Sequence, residues 1–223
     1  MPLEESTPVL FLSGAGLPAW IWDDVRSALS AESVVAAYPK QAGASLRDYA
    51  EAALAQAPQG RFTVVAHSIG GVVAAELVAI APDRVAAVLG VAASVPAPGT
   101  SFLGALPFPQ RYVVGLIMRL AGTRPPAKAI RAGVGFGVEE VALQRLIDDF
   151  APESQRLYRD PVSQRVFPAR TGYVVTTEDR EFPPALQRGY AAELGSAPAR
   201  ELATGHLPML QEPARLARLI EEL

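Results

Sequence analysis

The chain has 223 residues, of which 50% are hydrophobic and 19% charged, so it can bury a large core and is not expected to be disordered. Its net charge of −3 comes without a basic run, which argues against nucleic acid as the main partner. The absence of Cys excludes disulfides and thiolate catalysis, and two histidines, His67 and His206, are too few for a multi-histidine metal site. We therefore expect an α/β domain with no metal and no cofactor.

The N-terminus and the apolar runs bear on cellular location. The first residues, MPLEESTPVLFLSG, carry acids where a signal peptide needs a basic region. The apolar run over residues 112–120 is much shorter than the roughly 20 residues of a membrane span. We expect a cytoplasmic protein with no membrane partner.

The first half of the chain alternates between strand and helix patterns. Apolar runs predict strands over residues 8–12, 33–38, 61–67 and 85–92. Between them, Trp20, Trp22 and Val25 share one helical face, Ser45 is a plausible N-cap for a helix over 46–57, and a further helix runs to about residue 81. Such alternation indicates right-handed crossovers and a parallel sheet.

The segment that ends the third strand has the strongest functional pattern. The strand formers of FTVV are followed by AHSIGG, over residues 62–71, and then by helix formers. This is a strand–serine–helix arrangement of the G-x-S-x-G type, with Ala66 in place of the first glycine. It predicts a nucleophile elbow at Ser68, with a helix N-terminus that favours developing negative charge.

The pattern changes after Ser94, where prolines interrupt the chain and strand alternation returns only at Tyr173. Helical stretches lie at residues 111–120 and 138–150. We interpret residues 97–167 as a helical cap inserted after the fourth strand, and residues 1–96 and 168–223 as the core domain. The apolar side chains of the insertion either line a pocket or attach it to the core, and the sequence leaves both open. They are Phe102, Leu103, Phe108, Val114, Ile117, Met118, Phe136 and Phe150.

The last part of the chain completes the sheet. Strands are predicted over residues 172–177 and 199–203, and helices over 184–194 and 213–223, the last with Leu216, Leu219 and Ile220 inward. The fold class is therefore α/β, with a mostly parallel six-stranded sheet flanked by helices.

Candidates for the other catalytic roles follow the late strands. Asp179 comes after the fifth strand and His206 after the sixth, in the order Ser, Asp, His that this elbow requires. Glu178 is a local competitor for the acid, and we favour Asp179. His67, beside the serine at a strand end, is expected to pack or to form a hydrogen bond rather than to act as the base.

An oxyanion hole needs two N–H groups about 3 Å from the developing oxygen. One is expected from Ile69, directly after the nucleophile. The other is expected from Ala15, in the glycine loop Ser13-Gly14-Ala15-Gly16 after the first strand.

Together these segments resemble the α/β-hydrolase fold, and within it the small esterases related to plant methylesterases and hydroxynitrile lyases. The resemblance covers nearly the full length and implies the triad Ser68, Asp179 and His206, with Ala15 and Ile69 as oxyanion donors. It rests on LSGAGLPAWIW (12–22), VVAHSIGG (64–71), VPAPG (95–99), YVVTTEDREFPPALQR (173–188) and TGHLPMLQEP (204–213). The pocket residues expected for such a site are Gly14, Leu17, Trp20, Phe102, Phe108, Met118 and Leu207.

Departures from the family pattern restrict the reactions that we expect. Ser13-Gly14 stands where the family usually has His-Gly. The lyase branch typically has a Thr in the oxyanion loop and a Lys after the catalytic His, where this chain has Gly14 and Leu207, so cyanohydrin cleavage is disfavoured.

The first functional hypothesis is a serine hydrolase that cleaves a carboxylic ester, lactone or thioester of an apolar small molecule. The alternatives are non-hydrolytic chemistry on the same scaffold, such as a lyase, cyclisation or rearrangement, and a non-catalytic receptor for a small ligand. A monomer and a homodimer are both open.

Overall fold

The computed structural model describes residues 7–196 and 198–223. Its sheet has six strands, all parallel, in the order β2-β1-β3-β4-β5-β6, which confirms the predicted fold class. The strands are β1 (Val9–Leu12), β2 (Ser33–Val35), β3 (Phe62–His67), β4 (Val85–Val91), β5 (Arg170–Thr176) and β6 (Arg200–Leu202).

Eleven α-helices are found in the described part of the chain. They are α1 (Asp23–Ala28), α2 (Leu46–Gln56), α3 (Gly70–Ile80), α4 (Phe102–Ala105), α5 (Gln110–Ala121), α6 (Ala127–Ala132), α7 (Glu140–Asp149), α8 (Gln155–Arg159), α9 (Pro184–Leu194), α10 (Pro208–Gln211) and α11 (Pro213–Glu221). Short 3₁₀ helices span Ala19–Trp22 and Pro82–Arg84.

The edge strand β2 is shorter than predicted, because its pairing ends at Val35 rather than at Tyr38. The backbone of Ala37 pairs instead with the side-chain amide of Gln56 at the end of α2, which accepts its N–H at 3.0 Å and donates to its carbonyl at 2.8 Å. At the other end of α2, the predicted cap is confirmed, since Ser45 and Asp48 form a reciprocal capping box.

The sheet is buried on both faces. Alternate residues of β1 point to opposite sides, so that Leu10 and Leu12 belong to one core cluster and Val9 and Phe11 to the other. Helices α2, α3 and α9 contribute to the first cluster, and α1 and α11 to the second. This double cover explains why the strands read as continuous apolar runs rather than alternating ones.

Five helices, α4 to α8, lie between β4 and β5, where the sequence predicted two. The predicted stretches correspond to α5 and α7, and the other three have only four to six residues each, too short for a periodic pattern. Residues of α4 and α8 join the first core cluster, and residues of α6 and α7 join the second. The division into a core and a cap at residues 97–167 stays a prediction.

Candidate active site

Ser68 lies on a tight turn between β3 and α3. Its φ is +55°, in the left-handed region that non-glycine residues rarely adopt. Two hydrogen bonds tie this turn to the chain around the end of β4: Ser68 N–H donates to the Val91 carbonyl at 3.3 Å, and Ser94 N–H donates to the Ser68 carbonyl at 2.8 Å. A Cβ at Gly70 would overlap the backbone carbonyl of Leu12, so the helix can pass this close to β1 only without a side chain there.

His206 and Asp179 form a buried pair. The Nδ1 of His206 lies 2.7 Å from Asp179 Oδ2, and their side chains are 1% and 0% exposed. The histidine is in the loop between β6 and α10, and the aspartate is in the loop after β5.

The Asp179 carboxylate accepts four further hydrogen bonds. On Oδ1 they come from the backbone N–H groups of Glu181 and Phe182, and on Oδ2 from the Thr176 hydroxyl and the Gln187 amide, at distances of 2.7 to 3.1 Å. Gln187 is fully buried and also donates to the Phe182 carbonyl at 2.7 Å. These donors fix the carboxylate in the orientation that receives His206.

Each member of this pair shifts the pKa of the other. Burial would raise the pKa of Asp179, but the nearby His206 and the donated hydrogen bonds outweigh it, so the pKa lies below its usual value. Burial would lower the pKa of His206, but the Asp179 carboxylate outweighs it and the pKa lies above the usual 6.5. A histidine held in this way is a base that gains a proton readily and is stabilised as imidazolium.

His67 has a structural role. It is fully buried, and its Nε2 lies 2.8 Å from the backbone carbonyl of His206, to which only an N–H can donate. Burial lowers its pKa to about 3, so the ring is neutral and carries its proton on Nε2. His67 therefore positions the loop of His206 and has no free role as a base.

The two predicted oxyanion donors, Ala15 and Ile69, line the same cavity as Ser68. Within residues 7–196 and 198–223, neither N–H is paired with a hydrogen-bond acceptor. Buried backbone N–H groups are nearly always paired, so unpaired ones at a cavity are available to a ligand oxygen.

The cavity has a volume of about 130 Å³, and both Ser68 and His206 line it. Most of its wall is apolar, and Glu181 is the acidic residue that lines it. The apolar residues that line it are Ala15, Leu17, Ile69, Phe102, Leu106, Val114, Met118, Pro125, Val134, Phe150 and Phe182. A larger open groove of about 1100 Å³ lies at the other end of the strands, beside Pro8, Arg61 and Arg170, and includes none of these groups.

Three of the seven predicted pocket residues line this cavity: Leu17, Phe102 and Met118. The other four lie elsewhere. Leu207 is fully buried in the second core cluster. Gly14 lies beneath the serine, where an added Cβ would be 2.9 Å from Ser68 Cβ.

Two of the three predicted aromatic residues, Trp20 and Phe108, lie outside the cavity lining. Trp20 is half-buried and contacts two residues of α7. Its Nε1 donates to Asp149 Oδ2 at 2.9 Å, and the Arg145 guanidinium lies 4.2 Å from the centre of its ring. Phe108, two residues before the start of α5, is 76% exposed.

The sequence reasoning missed Glu153, which lies between α7 and α8. Its carboxylate accepts the Gly16 N–H at 3.1 Å and the Tyr49 hydroxyl at 2.6 Å, and burial raises its pKa. Ala151 N–H also donates to the Gly16 carbonyl at 3.0 Å. The segment between α7 and α8 thus holds both backbone groups of Gly16, the residue next to Ala15, and no sequence pattern signals this contact.

A family model described as "Alpha/beta hydrolase family" matches residues 9–219. The chain belongs to this family. This match confirms the predicted resemblance to the α/β hydrolases.

Known relatives of this α/β hydrolase include "Probable esterase PIR7A" from rice (Oryza sativa subsp. indica), which is 35% identical over 105 residues. That match covers 40% of this chain and 40% of the rice protein, so the chain matches less than half the length of this relative.

Two solved structures cover nearly the whole chain. An extracellular α/β-hydrolase from a Paenibacillus species, described as sharing structural and functional homology with tobacco salicylic acid binding protein 2, has a TM-score of 0.79 at 18% identity, over 97% of this chain and 98% of that one. The Arabidopsis methylesterase MES16 has a TM-score of 0.76 at 18% identity, over the same shares. At these identities the likeness shows the fold.

In the described part of this α/β hydrolase, no helix is long and apolar enough to cross a bilayer. The cytoplasmic location stays a prediction.

Proposed function

We propose that this α/β hydrolase is a serine hydrolase that cleaves a carboxylic ester, lactone or thioester of an apolar small molecule. The observation that carries the proposal is the His206–Asp179 pair at 2.7 Å, which faces the same small cavity as a serine in a left-handed turn. The family and the rice esterase agree with this chemistry.

The reaction would begin with attack of the Ser68 hydroxyl on the substrate carbonyl. A serine hydroxyl is a weak nucleophile at neutral pH, so His206 removes its proton as the bond forms and then gives the proton to the leaving alcohol or thiol. Asp179 keeps the proton of His206 on Nδ1 and stabilises the imidazolium. Water, activated by the same histidine, then hydrolyses the acyl-enzyme.

The unpaired N–H groups of Ala15 and Ile69 would bind the oxyanion. Donors of this kind that are fixed in advance stabilise the tetrahedral intermediate without reorganisation, and removal of one costs about 3 kcal/mol in transition-state energy. The N-terminus of α3 adds a favourable dipole at the same place.

The cavity wall indicates the substrate class. Its apolar lining and small volume suit a compact apolar acyl or alcohol group, and the carboxylate of Glu181 disfavours anionic substrates. We also propose that residues 97–167 act as a cap over the site, because α4 and α5 supply Phe102, Val114 and Met118 to the wall.

Steady-state hydrolysis tests the proposal with a panel of neutral short-chain esters, lactones and thioesters. Wild-type protein should turn over at least one class, and Ser68→Ala should reduce kcat to near background. A folded Ser68→Ala protein with substantial turnover would contradict the proposal and point to non-hydrolytic chemistry. Tight ligand binding without product, unaffected by the same substitution, would point to a receptor.

A further inference from the structure

Helix α5 carries an unusual apolar surface on its outer side. Of the eight large hydrophobic side chains that are exposed in the described chain, six lie between residues 108 and 120. We call these six the α5 patch: Phe108, Tyr112, Val113, Leu116, Ile117 and Leu120. Their exposed fractions run from 53% to 78%, and no residue of α5 is fully buried. A contiguous patch of this kind on a soluble chain marks an interaction site.

The same helix lines the proposed active site with its other face. Gln110, Val114 and Met118, spaced four residues apart, contribute to the cavity wall. Leu116 and Leu120 follow this row by two residues, which places them about 200° around the helix. Leu116 and Leu120 therefore point away from the cavity, and none of the six patch residues lines it.

The sequence around the patch is strongly cationic. Between Asp83 and Glu139 the chain has no acidic residue, although the whole protein has a net charge of −3. Five cations, Arg111, Arg119, Arg124, Lys128 and Arg131, fall between residues 101 and 138. Arg131 pairs with Glu140, and the other four form no salt bridge within the described residues.

We propose that the α5 patch docks the protein on an anionic lipid bilayer. An amphipathic helix with exposed apolar side chains and flanking arginines or lysines lies in the membrane interface, with its apolar face among the lipid tails and its cations at the headgroups. The earlier expectation of no membrane partner considered only spanning helices, and an interfacial helix needs no span.

A second copy of the chain fits this surface less well. Two copies meeting face to face would bring unpaired cations such as Arg119 together without acidic partners. An anionic surface removes this repulsion.

Docking would place α5, which also lines the cavity, at the lipid surface, where apolar esters are concentrated. That consequence rests on the proposed function, whereas docking itself does not. Vesicle binding is therefore the appropriate measurement, because its outcome is independent of whether Ser68 is a nucleophile.

The test is co-sedimentation of the full chain with vesicles of phosphatidylcholine, with and without phosphatidylserine. We expect binding to the phosphatidylserine vesicles that weakens as salt is raised, because exposed charges are screened. Arg119→Gln should weaken binding about fivefold. The double variant Leu116→Gln/Leu120→Gln should weaken it by about tenfold or more, because two apolar side chains no longer enter the lipid.

Val166→Gln is the matched control, because Val166 is 85% exposed and outside the patch. The circular dichroism spectrum and thermal midpoint show that each variant is folded. Three results would overturn the proposal: no binding of wild-type protein to phosphatidylserine vesicles, equal loss in the patch and control variants, or a wild-type dimer that Leu116→Gln/Leu120→Gln converts to monomers without vesicle binding. The last would show that a second copy covers the patch.

Discussion

Glu153 provides the most specific prediction about the oxyanion loop. Its carboxylate accepts hydrogen bonds from the Gly16 N–H at 3.1 Å and from the Tyr49 hydroxyl at 2.6 Å. Substitution of Glu153 by Ala removes both acceptors at once. Each unsatisfied buried donor costs about 1–3 kcal/mol, so we expect a loss of about 2–6 kcal/mol in the free energy of unfolding, measured by urea denaturation.

The effect on catalysis follows from the position of Gly16, which is the next residue after Ala15. If the Ala15 N–H is an oxyanion donor, a displaced Gly16 moves it out of line with the oxyanion. Complete removal of such a donor lowers kcat by about 10²–10³. The remaining hydrogen bond from Ala151 to the Gly16 carbonyl limits the displacement. We therefore expect kcat for Glu153→Ala to fall by about ten- to a hundredfold, with a smaller change in KM.

Tyr49→Phe is the matched control for this experiment. It removes the hydroxyl that donates to Glu153 and accepts from Ser154 N–H, but leaves the bond between Glu153 and Gly16. We expect a loss of about 1–3 kcal/mol in stability with kcat nearly unchanged. Equal kcat values for the two variants would refute the reasoning, because Glu153 would then only stabilise the fold.

Three further predictions concern the rest of the site. Because Asp179 raises the pKa of His206 above 6.5 and the base must be neutral, kcat/KM should fall with acid along a limb centred above pH 6.5. In Asp179→Asn that limb should move to lower pH and kcat should drop by about 10⁴, and an unmoved limb would contradict the assignment. Gly70→Ala forces a Cβ against the Leu12 carbonyl and should cost about 1–3 kcal/mol, visible in calorimetry as a lower Tm. Glu181→Gln should raise kcat/KM for a carboxylate-bearing ester about threefold relative to a neutral ester, and the idea fails if both change equally.

The fold was predictable because local patterns and global topology agree. The apolar runs of β1, β3 and β4 are buried on both faces, so they could be recognised without alternation. The capping box at Ser45 and the small residues of the elbow are local signals as well. The ends of β2 and the short helices around α5 depend on long-range contacts, which no local pattern records.

The site was only partly predictable. Ser68, Asp179 and His206 follow strand ends in a required order, so sequence alone could nominate them. The cavity wall could not be predicted in the same way. Phe108 and Met118 are both large apolar residues near or in α5, yet Phe108 is exposed and Met118 lines the cavity. Glu153 and the α5 patch could be recognised only in the folded protein. The role of Glu153 depends on its hydrogen bonds to Gly16 and Tyr49, and the α5 patch is defined by its exposure.

The central claim is that Ser68 is an activated nucleophile, and covalent labelling tests it most directly. Folded protein is treated with a fluorophosphonate at neutral pH and analysed by intact mass and peptide mapping. The account predicts one added phosphonyl group, located on Ser68 and absent from both Ser68→Ala and His206→Ala. Folded wild-type protein that stays unlabelled, or that carries the label at another residue, would contradict it.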